Sequence, residues 1–301
     1  MITNKLGAIG QFFFDKETIL EGYVSEYLFE KQFLDSKNKD YTHGVWIAQL
    51  FNNKKNNDEV ANFFFIFKQE LSNFDKKLLS NTELKKIFMC FHAYEKDNQW
   101  WFSDGVQTFN QKEFLQRIEN NKTPKPIYDY EHQMTNRKEK CIDYFEEHNI
   151  LLPIANERNF ANNFLSVYFD SVVNIDYLAC GDNGEIDVYE VKFKNESKAG
   201  YFGINIGQQK VLKYLSCCNF NIYYVVLYKD KRHSDYHIFD YINSSDIPKK
   251  WYIGKIDIDN YVGDGTAPDD TSIYGNRSQQ YYNYDKSTIL DKGECYELII
   301  P

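Results

Sequence analysis

The fold class this sequence predicts is α/β of the α+β kind: a mixed central sheet flanked by helices, with a further α+β unit at the N-terminal end. Three observations predict it. Stretches of helical and strand periodicity alternate along the chain. The segment from about 156 to 228 reads α-β-β-α-β, an order that sets helices against a sheet. The composition, 43% hydrophobic and 26% charged over 301 residues, is that of a globular protein long enough for about two domains.

Taken in order, residues 15–35 carry Ile19, Leu20, Tyr23, Tyr27, Leu28 and Phe33 at roughly helical spacing. Short apolar runs at Val45–Phe51 and Val60–Phe67 read as strands. Ile87–Tyr94, Lys96-Asp97-Asn98 and Trp100–Phe102 read as a hairpin. Asn110-Gln111-Lys112-Glu113 has the form of a capping box that opens a helix through Ile118. The polar stretch from Asn120, with Pro124 and Pro126, reads as a linker. Beyond it, 134–148 is expected to be helical and Leu151-Leu152-Pro153 to stop that helix. A helix at about Asn156–Phe169 follows, then a strand at Val172–Ala179, a turn at Cys180–Glu185 and a strand at Ile186–Lys194. A Gly-containing loop, a helix at Ile206–Cys217 and a very apolar strand at Ile222–Tyr228 complete the run. Strands are also expected at Tyr236–Ile242 and Cys295–Ile300. The domains expected are 1–120 (recognition, partner binding or dimerisation), a linker at 121–127, a second domain at 128–250 and an acidic Tyr/Asn-rich extension at 251–301.

Charge and cysteine usage narrow the function classes. The net charge is −9, which argues against a broad basic surface. The distribution is uneven. From Lys192 to Arg232, eight basic residues face two acidic ones; from His233 onward, twelve acidic residues face six basic ones. The N-terminal residues do not read as a secretory signal, and no apolar run approaches a membrane span. The six cysteines are scattered without a C-x-x-C pair, which suggests reduced thiols and a cytoplasmic home.

The residues that carry chemistry lie in Asn174-Ile175-Asp176 and Glu190-Val191-Lys192. On a strand, Glu190 and Lys192 share a face, because side chains alternate. Asp182-Asn183-Gly184 is a turn signal. A three-residue loop there sets Gly181 against Glu185, and that register puts Asp176 opposite Glu190, Cβ atoms ~5 Å apart. A two-residue loop at Asn183-Gly184 instead sets Asp176 against Val191. Two adjacent carboxylates repel unless a cation joins them. A hard ion such as Mg²⁺ binds one or two carboxylates and keeps waters. An ammonium beside them can orient such a water or neutralise charge on phosphorus.

These residues, within α-β-β-α-β order, resemble the PD-(D/E)xK nuclease superfamily, the restriction-endonuclease-like fold. The resemblance covers about residues 154–230, and Ile175 stands where the motif has proline. It implies a restriction-endonuclease-like core and a Mg²⁺-dependent DNA endonuclease, with Mn²⁺ as a substitute, that leaves a 5′-phosphate. Asp176, Glu190 and Val191 would be the metal ligands, and Lys192 the catalytic lysine. The family often carries an acid on the preceding helix and a glutamine on the following one. Glu157 lies on the same helical stripe as Phe160 and Phe164, and Gln208 aligns with Val211, Leu212 and Leu215. Gln209 is the rival to Gln208. The alternative for Asp176, Glu190 and Lys192 is a cross-strand ion cluster on a solvated face.

Other patterns have bland readings. His233 and His237 have zinc spacing but sit in a charged turn. Asp257, Asp259 and Asp264 lack a calcium-loop register. Tyr274 and Tyr281–Tyr284 could stack on bases, with loop packing the default. The functional expectation is a DNA endonuclease in restriction or phage defence, with DNA as partner and a homodimer or a protein partner through 1–120. The alternative is an inactive nuclease-like protein that binds other proteins in an assembly. A further expectation is that the acidic tail covers the basic segment and restrains the enzyme.

Overall fold

A computed structural model describes residues 2–13, 15–51, 60–119, 124–125, 133–268 and 278–300. Most of the expected linker 121–127, and Tyr274, lie outside the described residues. The protein is of mixed α and β structure, with sheets that contain both parallel and antiparallel pairs. Among the described residues no helix is long and apolar enough to cross a membrane.

The chain forms two compact units, and each draws on three stretches of sequence. The first comprises Met1–Phe12, Tyr41–Asp129 and Ile150–Leu178; the second comprises Phe13–Asp40, Tyr130–Asn149 and Ala179–Pro301. The sequence reading cut the chain at 120, 127 and 250, whereas the units interleave. Hydrophobic patterning reports which face of an element is buried, not which distant segment buries it.

In the first unit a sheet runs in the order Thr108–Asn110, Gln99–Ser103, Met89–Lys96, Val60–Phe67, Val45–Phe51, Ser171–Ile175. Only the pair Val60–Phe67 and Met89–Lys96 is parallel. Alternate side chains of these strands, among them Trp46, Ala48, Phe63, Phe65, Phe91 and Phe102, form one aromatic core with Phe114, Phe160 and Phe164 from helices. Phe67 and Phe160 stack at 4.6 Å. The expected strands at Val45–Phe51 and Val60–Phe67 form as read. Asp97 and Asn98, both at positive φ, close the hairpin. The capping box at Asn110 and Glu113 is present.

Leu151-Leu152-Pro153 opens the next helix, Leu151–Phe160, rather than stopping a segment. Proline is tolerated in a first turn, where its missing N–H has no partner to lose. The expected strand at Val172–Ala179 is two strands, Ser171–Ile175 and Tyr177–Cys180, and Asp176 sits at the break.

In the second unit the strands follow the order Ile186–Lys194, Asn221–Tyr228, Lys250–Lys255, Glu294–Glu297. The first two are parallel, with Glu190 beside Tyr224 and Lys192 beside Val226; the others pair antiparallel. Helix Glu17–Phe29 lies over one face of strand Ile186–Lys194, where Phe29 meets Tyr189 at 5.3 Å. Helix Ile206–Cys217 presents Val211, Leu212 and Leu215 to the core, and Gln208 near its start reaches Glu190 on the same strand. A three-stranded sheet, Tyr201–Asn205, Ser278–Asp285, Gly263–Pro268, completes the unit.

Residues expected at Tyr236–Ile242 as a strand instead form helix Ile238–Asn243. Ile238, Tyr241 and Ile242 are its buried residues, a spacing of three and four that fits a helix. The C-terminal strand ends at Glu297. Just past residue 250, Trp251 is fully buried and sits within a sheet strand.

Candidate active site

The second unit assembles three of the candidate residues by itself. Strand Ile186–Lys194 projects Glu190, Lys192 and Lys194 from one face. Glu190 is completely buried. The Lys192 ammonium contacts Glu190 Oε1, and Gln208 Nε2 donates a hydrogen bond to the same oxygen. Asn205 caps helix Ile206–Cys217 by accepting from the Gln208 N–H at 2.8 Å, which fixes the turn that carries this glutamine. The rival, Gln209, expected on the flank, is the buried one of the two, and its amide donates to the Ile258 carbonyl at 3.2 Å, whereas Gln208 is only partly buried. Both glutamines therefore have fixed partners, and only Gln208 reaches Glu190.

The turn before this strand has the three-residue loop that the sequence allowed. The Gly181 N–H donates to the Glu185 carbonyl at 2.8 Å, and the Gly184 N–H donates to the Gly181 carbonyl at 3.0 Å. Gly184 adopts φ +80°, the left-handed position such a loop needs. The two-residue alternative is not the one formed.

Asp176 and Glu157 belong to the first unit. Asp176 is buried at the break between its two strands. Glu157 is buried on helix Leu151–Phe160, on the inward stripe with Phe160. Its Oε2 stands 4.0 Å from His43 Nδ1. The sequence reading passed over His43, since a lone histidine between strands carries no spacing signal.

Lys194, which the sequence offered either as a phosphate contact or as a solvated charge, ends the Glu190–Lys192 row. Its ammonium donates to the Gly203 carbonyl at 2.9 Å and lies 5.2 Å from the Tyr224 ring centroid. Burial and the neighbouring Lys192 charge pull Lys194 down to about 7, against the opposite pull of Glu190. Beside it opens a cavity of about 490 Å³ that Lys194, Glu196, Tyr201, Gly203, Tyr281 and Asn283 help to line.

The donor chemistry fits a hard divalent ion. In the second unit Glu190 offers carboxylate oxygens and Val191 a main-chain carbonyl, the ligand types that Mg²⁺ prefers. Among the described residues no three His, Cys, Asp or Glu side chains form a ready metal cage. Mg²⁺ does not require one, because it usually keeps several waters beside one or two carboxylates. His233 and His237 flank a short turn at the start of helix Ile238–Asn243, and His237 Nδ1 lies 3.7 Å from Glu21 Oε1.

None of the protein-family models, curated proteins or solved structures compared with this chain matches it.

Proposed function

We propose that the protein is a metal-dependent endodeoxyribonuclease built around Glu190 and Lys192. The observation that carries the reading is the fully buried Glu190 carboxylate, held at one oxygen by Lys192 and Gln208. A buried carboxylate with two donors on it is costly unless it has a task. The order of hairpin, strand, helix and parallel strand from Tyr177 to Tyr228 supports a restriction-endonuclease-like core.

In this reading Glu190 and the Val191 carbonyl would hold Mg²⁺. Bound there, the ion supplies Lewis acidity toward a phosphoryl oxygen and lowers the pKa of a water. Lys192, about one-third exposed at its side chain, presents an ammonium to solvent and substrate while it touches Glu190. It can hold a water for in-line attack or offset the charge that grows on the phosphoryl oxygens. Gln208 is a positioning residue, since its contact is with Glu190 and not with the reacting atoms. Glu157 is assigned a supporting acidic role. A place in restriction or phage defence remains an analogy drawn from fold.

The test is cutting of plasmid DNA by purified protein with Mg²⁺, then with EDTA. Lys192→Ala should abolish cutting in a protein that still melts cooperatively, at a lowered temperature because Glu190 loses its cation. Unchanged cutting in that variant would sink the assignment. A second reading, a nuclease-like protein without catalysis, draws on the direct Glu190–Lys192 ion pair, which also serves as plain structural compensation. Under it the wild type does not cut, and Lys192→Ala changes only the melting temperature.

A further inference from the structure

The three-stranded sheet of the second unit has two unlike faces. Along Tyr201–Asn205 the residues alternate: Phe202 and Ile204 are buried to 0% and 1%, while Tyr201, Gly203 and Asn205 point the other way. The neighbouring strand repeats the pattern. Tyr284 is buried, and Asn283 and Tyr281 stand opposite Gly203 and Asn205. On the third strand Gly265 pairs with Tyr281. Tyr201, Gly203, Gly265, Tyr281 and Asn283 thus share one face, and that face is the floor of the cavity of about 490 Å³.

The glycines keep the floor open. A Cβ at Gly203 would stand 3.3 Å from Asn283 and Tyr281, and one at Gly265 would stand 3.1 Å from the Asn283 amide. The wall is the segment from Lys194 to Ala199, and Lys194 is bonded to the floor at the Gly203 carbonyl. Lys194 follows Glu190 and Lys192 on the same face of their strand, so the cavity begins about 13 Å along the row from Glu190.

We propose that this cavity accepts an unstacked nucleobase of a single-stranded nucleic acid. The inference rests on the nuclease reading and names a substrate feature of that site. Four observations support it. Tyr201 and Tyr281 rise from a sheet face, the arrangement on which bases stack. The amide of Asn283 offers both a donor and an acceptor to a base edge. The volume lies in the range of small-ligand sites. Glu196 disfavours an anion: it is buried, lines the cavity, accepts from Tyr228 Oη at 2.8 Å and lies 3.9 Å from Lys286 Nζ. A phosphate placed here would meet that carboxylate, whereas a neutral ring with amino groups would find an acceptor.

The experiment compares two labelled oligonucleotides of equal length by fluorescence anisotropy in EDTA, where no cutting occurs. One is an intact single strand, and the other has the same backbone with abasic sites through its centre. The intact strand should bind the wild-type protein about tenfold more tightly. Tyr281→Ala should erase that preference. Ala199→Trp, at an exposed position on the cavity wall, should erase it by filling the space without disturbing the core. Equal binding of the two strands by the wild type would overturn the proposal, as would a preference that survives both substitutions. Tight binding of free guanosine or adenosine, with no preference between the strands, would also overturn it in favour of a free-nucleoside site. Base preference without Mg²⁺-dependent cutting would remove the nuclease and keep the cavity; cutting without base preference would do the reverse.

Discussion

Glu190 and Lys192 show how much a single residue pair can reveal before any fold is known. Their spacing of two on an apolar strand placed them on one face, and the buried Glu190 carboxylate does meet the Lys192 ammonium. Gln208 was legible for the same reason, through its place on a helical stripe, and it reaches Glu190. Its removal tests positioning: Gln208→Ala should lower kcat for cutting about ten- to hundredfold, with the melting temperature little changed. A variant with wild-type kcat would strip Gln208 of that role. Lys194 was legible as a phosphate contact or a solvated charge but not as a lysine bonded to the Gly203 carbonyl, because a lysine at a strand end normally points to water. Its low pKa has a consequence for stability. An unfolded lysine titrates near 10.4, and folded Lys194 near 7. Between those values the unfolded chain binds more protons, so stability rises with pH across the window; below about 7 the full cost of burying the charge is present. Lys194→Met should therefore raise the melting temperature at pH 7, and the gain should shrink toward pH 10. A gain that does not vary with pH would show that Lys194 is not held near neutrality.

At the scale of elements, the strands and helices that patterning marks strongly form where the sequence put them, including Ile186–Lys194 and Ile206–Cys217. The miss at Ile238–Asn243 came from aromatic and β-branched composition, which favours strand, in a segment whose buried positions follow helical spacing. The three-stranded sheet was passed over for another reason. Its strands are rich in Gly, Asn and Tyr, and Tyr201–Asn205 finds its partner, Ser278–Asp285, far along the chain, so no local signal announces that pairing. The hairpin at Gly181–Glu185 was legible because turn chemistry is local. Gly184 carries its cost in the backbone alone: φ is +80°, and a Cβ there would meet nothing within 4 Å. Gly184→Ala should destabilise the protein by roughly 1–2 kcal/mol, the cost of a left-handed residue. Urea unfolding measures it, and a loss well below that range would mean that the turn relaxes to another form.

The whole molecule is where the sequence was least informative, since the two units trade segments along the chain. A fragment ending at 120 would contain Phe65, Phe67, Phe102 and Phe114 but lack Phe160, Phe164 and Phe169, which close the same core. Several fully buried aromatic rings would then face water, each at a cost of about 1.5–3 kcal/mol, against a total stability of only about 5–15 kcal/mol. Residues 1–120 alone should therefore give the circular dichroism and narrow proton shifts of an unfolded chain. The same reasoning decides what becomes of the acidic C-terminal segment. If it were a restraining cover, a chain cut after residue 250 would be folded and more active. In the structure that cut removes Trp251, whose ring packs 5.9 Å from Phe29 and whose indole N–H donates to Gln32. It also removes nearly all of strand Lys250–Lys255 and the strand Glu294–Glu297 that pairs with it, and so exposes the edge of Asn221–Tyr228. The shortened chain should aggregate or lose its cooperative melt, and show no gain in cutting. A soluble, cooperatively folding and hyperactive 1–250 fragment would restore the autoinhibitory reading and show that the strand beside Asn221–Tyr228 is dispensable.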